Sequence, residues 1–471
     1  MLSPSRRSGL TRSAIGLAVV MSAVPFLHVA VPNALTAHDF ARLVQLAVLL
    51  VGALAWGLWS PSAGKSFLAA RPMVRGGLAA LGILVIASCL HAVHPVVAAR
   101  EVVLLGSVLL LAVPLATALS DPRTRDRFLD VLAVGAAAHG VLWMLLLVSA
   151  AMSAQTFTPW ELVFGFDNPR FLNHAQTMAL PLIGVVLVRP NTPAWIRIAA
   201  AVALFSAGAL LSMYVARATL LGLLVGGLVA IFVMGRHVWR CAAATSAAFG
   251  VGALAMGVAW TIWLRHLTAP MIDDLLHTHR RNVLWDQVAE LFMSSPWLGV
   301  GPMHFAQTVN PVAAHPHNAY LQLLVEYGLP AAVLVAILVV VFLRRVFTDL
   351  RREASNSPAL VAALIVSTVA MLVDSAFSGN WVMPVSQLWI AVLLALLLSL
   401  NPRVAEAQPI PRPRGFAMVG RALVLAAMVA ATAQALVESF DAQPHVQTGE
   451  AMKMSIGRAA QTPRFWSHGW F

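Results

Sequence analysis

Residues 218–235 read ATLLGLLVGGLVAIFVMG, eighteen positions without a charge, bracketed by Arg217 and Arg236. As a helix rising 1.5 Å per residue, such a segment comes close to crossing ~30 Å of hydrocarbon. Helical hydrogen bonding is also what lets a lone segment satisfy its own backbone in lipid. The same unit recurs along the chain, and we read spans near 14–32, 40–59, 75–92, 97–118, 128–152, 174–189, 198–214, 218–235, 241–263, 317–343, 358–376, 384–400 and 416–437. The expected fold is therefore all-α: a polytopic integral membrane protein with 12–13 transmembrane helices and one long loop containing short helices. Composition agrees, with 59% hydrophobic and 11% charged residues and a mean hydropathy of +0.80, against about 25% charged in a soluble domain. The expected organisation is an N-terminal bundle of about nine spans over 1–263, a periplasmic loop over 264–316, further transmembrane helices over 317–437 and a periplasmic tail over 438–471.

A net charge of +12 would point to nucleic acid in a soluble protein. Here the basic residues stand in short clusters between spans, so no nucleic-acid partner is expected. With the N-terminus in the cytoplasm, alternate junctions hold 21 of the 31, from Arg6, Arg7 and Arg12 through Arg344, Arg345, Arg351 and Arg352 to Arg403, Arg412, Arg414 and Arg421. That is the positive-inside pattern of a bacterial inner-membrane protein, and it leaves the 264–316 loop outside. Thirteen of the fifteen histidines fall on or near the outer side. Membrane lipids are the expected surroundings, the first helix is read as uncleaved, and the aromatic end of the tail is read as an interfacial anchor. Cys89 and Cys241 fall near opposite faces and cannot pair.

No phosphate-binding G-x-x-x-x-G-K-[ST] loop occurs, which speaks against a nucleotide-driven pump. Acidic residues within spans, the mark of ion-coupled transport, are sparse: Asp374 and Glu326 are the main ones. The outer side offers arginines instead. Arg217 stands where two apolar spans meet, and a guanidinium at hydrocarbon depth costs at least ~2.5 kcal/mol unless it snorkels or pairs. Arg280 and Arg281 stand together in the long loop, ahead of an amphipathic helix over 282–292, and guanidinium groups suit bidentate recognition of phosphate oxygens. His315-Pro316-His317-Asn318 closes the loop. Pro316 is expected to open the next helix, placing His317 at the membrane boundary, where a neutral imidazole can act as a base near pH 7. Asn168, Arg170, Asn173, His174 and Gln176 could complete a pocket or serve only as turns and caps. His266, His277, His279 and His304 lack zinc-ligand spacing, so no metal is expected.

The run Gly299-Val300-Gly301-Pro302-Met303-His304-Phe305, followed by His317-Asn318 and, after nine residues, Gly328, resembles the core of the O-antigen ligase and polymerase superfamily. Arg217 in Ala216-Arg217-Ala218-Thr219-Leu220-Leu221-Gly222, and Arg281 with Trp285, also match that family. The resemblance implies transfer of a glycan from an undecaprenyl-diphosphate carrier to an acceptor on the periplasmic face, with no cofactor. It further implies that His317 deprotonates the acceptor hydroxyl. Arg217 and Arg281 would hold the diphosphate, joined by Arg265, Arg280 or Arg170, while His315, Asn318 and Tyr320 support the site. The first expectation for the acceptor is lipid A core oligosaccharide. The alternatives are an O-linked protein (pilin) oligosaccharyltransferase and an O-antigen polymerase, and a lipid-glycan transporter is a more distant one.

Overall fold

The computed structural model describes residues 4–29, 35–59, 72–153, 156–157, 159–267, 281–308, 310, 312–354, 356–400, 425–434 and 464–466. Its principal helices are α1 (Pro4–Val29), α2 (Ala37–Trp59), α3 (Pro72–His91), α4 (Pro95–Leu119), α5 (Pro122–Met152), α6 (Pro169–Val188), α7 (Ala194–Met213), α8 (Arg217–Met234), α9 (Trp239–Ile262), α10 (Arg281–Ser294), α11 (Ala319–Glu353), α12 (Pro358–Ser375) and α13 (Pro384–Ser399), with α14 over Leu425–Gln434. Eleven of these are long and apolar enough to cross a membrane, and α13 and α14 are shorter apolar helices. Each of the thirteen spans read from sequence overlaps one of these apolar helices; 30–32 of the first and 416–424 and 435–437 of the last lie outside the described residues. The protein is a multi-pass helical membrane protein.

Side chains divide by surroundings rather than by a helical stripe of charge. Phe232, Leu90, Ile262 and Ile83 are largely exposed, as expected of surfaces that meet lipid tails. The buried core joins α4, α6, α7, α12 and α13. Helix α7 packs on α9 and α5, α8 on α12, α12 on α6, and α13 on α4. Association without a hydrophobic drive relies on close backbone approach through small residues. Gly222 and Gly226 of α8 supply it: a methyl added at either would lie 2.8 Å from the Ala370 carbonyl or 2.7 Å from that of Val366 on α12. That seam fixes the start of α8, and so Arg217, beside the end of α12.

Helix α11 is broken. Gly328 has φ 80° and ψ 168°, a conformation essentially reserved for glycine, and Pro330 two residues on has no N–H to bond. The polar backbone groups released by the break are taken up by the 296–301 turn. The Val300 N–H donates to the Val325 carbonyl (2.9 Å), the Gly301 N–H to that of Glu326 (3.0 Å), and the Leu329 N–H to that of Pro296 (2.9 Å). The G-x-G turn is thus docked against the first segment of α11, residues 319–327. The amphipathic segment forms α10, with Leu284 and Val288 buried against Phe305, Ala313 and Val325.

Within the tail, the described residues 464–466 depart from expectation, while the rest of 438–471 lies outside the described residues. Arg464, Phe465 and Trp466 are buried inside the bundle, not laid at an interface. Arg464 meets Glu326 of α11 at 2.7 Å and Glu101 of α4 at 3.6 Å, so a buried cation is paired with two buried carboxylates.

Candidate active site

The candidate site gathers at one end of the bundle, where α6, α8, α10 and α11 begin and α12 ends. Asn168 caps α6, its side chain accepting from the Arg170 N–H at 2.9 Å, which puts Arg170 in the first turn. Arg217 opens α8 after a tight turn, its N–H donating to the Val215 carbonyl at 2.8 Å. The Tyr214 hydroxyl pins that turn by donating to the Pro159 carbonyl at 2.6 Å and accepting from Trp143 Nε1 at 3.3 Å. Thr219 shares a hydroxyl bond with Thr177 at 2.9 Å, locking α8 to α6. Arg281 opens α10 and donates from Nη2 to the Phe377 carbonyl at 2.9 Å.

These placements bring three arginines into one field. Burial first, then the charges of Arg170 and Arg217, push the Arg281 guanidinium below its ordinary value, and Asp374 opposes them. Asp374, fully buried at the end of α12, lies 3.2 Å from His174 Nδ1 and accepts from the Ser378 hydroxyl at 2.9 Å. Arg170, Arg217 and Asp374 are thus all felt at Arg281, and guanidinium groups gathered at helix starts suit an anionic ligand.

The histidine loop lies beside them. His315 is buried, and its ring fills the space over Gly379, where a methyl would come within 2.4 Å of Cε1. Burial first, then His317, Arg464, His174 and His38, hold His315 well below the ordinary histidine range. Its Nδ1 accepts from the His317 N–H at 3.2 Å, so it acts as a neutral buttress. His317 is half-buried with φ 53°. Among the described residues four non-glycine positions have positive φ, and three of them, Val215, Met303 and His317, lie in the turns of this region. Such outliers mark places where surrounding structure imposes a geometry.

The start of α11 differs from the sequence expectation. The helix begins at Ala319, not at Pro316, because Asn318 is the stronger cap: its Oδ1 accepts from both the Tyr320 and Leu321 N–H at 3.0 Å. His317 therefore stands one residue ahead of the cap. The Tyr320 hydroxyl donates to the Leu372 carbonyl at 2.7 Å, fastening this helix end to α12.

Arg170, Arg217, Arg281, His315, His317, Asn318 and Tyr320 are accordingly placed at this end of the bundle. Arg265, on the turn after α9, is exposed and donates to the adjacent His266 at 3.1 Å. Arg280, His277 and His279 lie outside the described residues. His304 has both ring nitrogens engaged, Nε2 by the His94 N–H at 2.9 Å and Nδ1 by the Pro302 carbonyl at 2.8 Å. Among the described residues no three His, Cys, Asp or Glu side chains are grouped to hold a metal. Asp374 is the site residue that sequence reasoning treated only as a transport candidate. Its partner His174 is 200 positions away, and no local pattern joins the two.

Fold and site together define the class: a multi-pass helical membrane protein with arginines and a histidine loop gathered at one end of its bundle. Residues 199–336, from α7 into α11, match the family model described as O-antigen ligase. That region carries Arg217, Arg265, Arg281, His315, His317, Asn318 and Tyr320, and over it the chain is similar to the O-antigen ligase family. Arg170, His174 and Asp374 lie outside the matched residues. No curated protein matches the chain.

Proposed function

We propose that the protein is a glycosyltransferase of the ligase type, moving a glycan from undecaprenyl diphosphate to lipid A core oligosaccharide at the periplasmic face of the bacterial inner membrane. The observation that carries this reading is that Arg170, Arg217 and Arg281 open three helices at one end of the bundle and, with Asp374, share one electrostatic field beside the His315–His317 loop. Apolar helices around the site suit a lipid-borne donor. Below Arg170 a cavity lined by Leu172, Ala175, Gln176, Ala179 and Trp389 offers a berth for its polyprenyl chain. On this reading the N-terminus is cytoplasmic, as the arginine distribution requires.

In the proposed step the acceptor hydroxyl oxygen attacks the anomeric carbon from the side opposite the diphosphate. The new glycosidic bond forms, the bond to the phosphate oxygen breaks, and the anomeric configuration inverts. His317 takes the hydroxyl proton. The bonding electrons leave on the diphosphate, whose added charge Arg217 and Arg281 stabilise, with Arg170 beside them. Arginines can supply that stabilisation without a metal. His315 and Asn318 hold His317 in place, and Tyr320 ties the helix end to α12.

The test is transfer by the purified protein in lipid nanodiscs, with undecaprenyl-diphosphate-linked glycan and three separate acceptors: deep-rough lipopolysaccharide, pilin and a second lipid-linked glycan. Transfer to lipopolysaccharide is expected, unaffected by chelator. Replacing a positioned general base costs roughly 10²–10⁴-fold in rate, so His317→Ala should fall by that factor, and Arg217→Ala should fall comparably. Folded variants that transfer as fast as the parent would sink the mechanism. Transfer only to pilin or to the second glycan would reassign the acceptor.

A further inference from the structure

The segment Arg464-Phe465-Trp466 is anchored far more heavily than a polar tail needs to be. Arg464 Nη2 donates to both oxygens of Glu326, at 2.8 and 2.7 Å. The Phe465 carbonyl accepts from Arg42 Nε at 3.0 Å and lies 3.1 Å from His38 Nε2. Two guanidiniums sit over the Phe465 ring, that of Arg100 at 4.1 Å and that of Arg42 at 5.1 Å from its centroid, where the negative ring face attracts them. Arg42 also donates to the Arg464 carbonyl at 3.2 Å and to the Val382 carbonyl at 2.6 Å. It bonds Gln387 at 2.7 Å as well, and Gln387 in turn holds the Trp381 carbonyl at 2.6 Å.

Both ends of this network lead to the histidine loop. Glu326 is two residues before the break at Gly328, and its carbonyl receives the Gly301 N–H and the Ser88 hydroxyl. Its carboxylate is fully buried. Without a cation it would have to protonate or withdraw, and the short helix 319–327 that Asn318 caps would move with it. The 376–383 connection held by Arg42 contains Gly379, the floor beneath the His315 ring.

We propose that Arg464-Phe465-Trp466 is a positioning clamp for the candidate catalytic loop: Arg464 neutralises Glu326 and thereby fixes the broken start of α11 on which His317 stands. The transfer readout rests on the proposed function; the exchange readout does not.

Full-length Arg464→Met, Arg464→Lys, Glu326→Gln and the double variant Arg464→Met/Glu326→Gln are prepared in nanodiscs. Hydrogen–deuterium exchange of residues 299–301 and 317–321 is measured beside transfer kinetics. Arg464→Met should exchange at least tenfold faster in those two segments, with α7 and α9 unchanged. Its kcat should fall at least tenfold while KM for the lipid-linked donor stays within twofold. The double variant, which removes the orphaned charge, should recover most of both losses, and Arg464→Lys should stay closer to the parent than Arg464→Met. Should Arg464→Met fail to fold, the double variant and Arg464→Lys carry the comparison. Parental exchange in Arg464→Met, faster transfer than the parent, or a double variant no better than Arg464→Met would each overturn the clamp. If the parent transfers no glycan, the proposed function fails, and the exchange pattern still decides the clamp.

Discussion

Replacing Gly328 by Ala tests the broken helix on which the candidate site depends. A side chain at φ 80° and ψ 168° lies in a region that costs ~1–3 kcal/mol for any residue but glycine. The added methyl would also sit 2.3 Å from the Trp297 carbonyl oxygen and 2.8 Å from the Gly299 nitrogen. Both are backbone atoms that cannot swing aside, and forcing such an overlap costs a further ~1–3 kcal/mol. The total is about 2–6 kcal/mol, a large share of the ~5–15 kcal/mol that holds a typical fold together. If the chain escapes the strain by closing the helix, the bonds from Val300 and Gly301 to 325 and 326 are lost and His317 leaves its position. Either way transfer should fall by more than tenfold. Stability is measured by steric trapping in bicelles, and transfer on the same preparations. Gly227→Ala is the control: a methyl there meets nothing within 4 Å, and helix propensity makes it neutral or stabilising by up to ~1 kcal/mol. If Gly328→Ala unfolds within ~0.5 kcal/mol of the parent and transfers at the parental rate, the break does not position the site.

Two further outcomes are expected. Gly226→Leu should wedge α8 from α12, because its side chain would have to displace the Val366 carbonyl 2.7 Å away; loss of stability by ~1–3 kcal/mol should accompany weakened donor binding as the start of α8, with Arg217, shifts, and unchanged binding would contradict the seam's role. Stability of the loop should also depend on pH. His304 and His315 are held below the ordinary value of 6.5, in both cases chiefly by burial, so below that pH the unfolded chain binds more protons than the folded one. Stability should therefore fall as pH drops from about 6.5, by up to ~1.4 kcal/mol per pH unit for each ring, read as faster proteolysis within 296–317. Replacing His315 by Gln should flatten that dependence, and an unchanged slope would refute the assignment.

Much of the fold was legible because each span is a local signal: eighteen apolar residues between arginines need no distant partner to be recognised. His317-Asn318, Arg217 and Arg281 were legible through the spacing of a known family. What stayed hidden was long-range. Asp374 and His174 meet only because α12 packs on α6, and neither carries a motif. The tail looked like an interfacial anchor because one arginine and a few aromatics read the same whether they lie on a membrane or inside a bundle. Only the carboxylates of Glu101 and Glu326, from two other helices, decide between those places. The helix break, by contrast, was there to be read in Gly328-Leu329-Pro330.

The three arginines stand at the first or second position of α6, α8 and α10. That is the wrong end of a helix for a cation, since aligned peptide dipoles leave about half a positive charge there. Each of these side chains therefore works against the dipole of its own helix, and a bound dianion would offset that at all three helix starts at once. On the proposed chemistry the diphosphate gains charge when the glycan departs, so the spent carrier relieves that tension more fully than the loaded one. A site built this way grips its leaving group hardest after the reaction is over, and turnover is then governed by how fast the carrier can be let go.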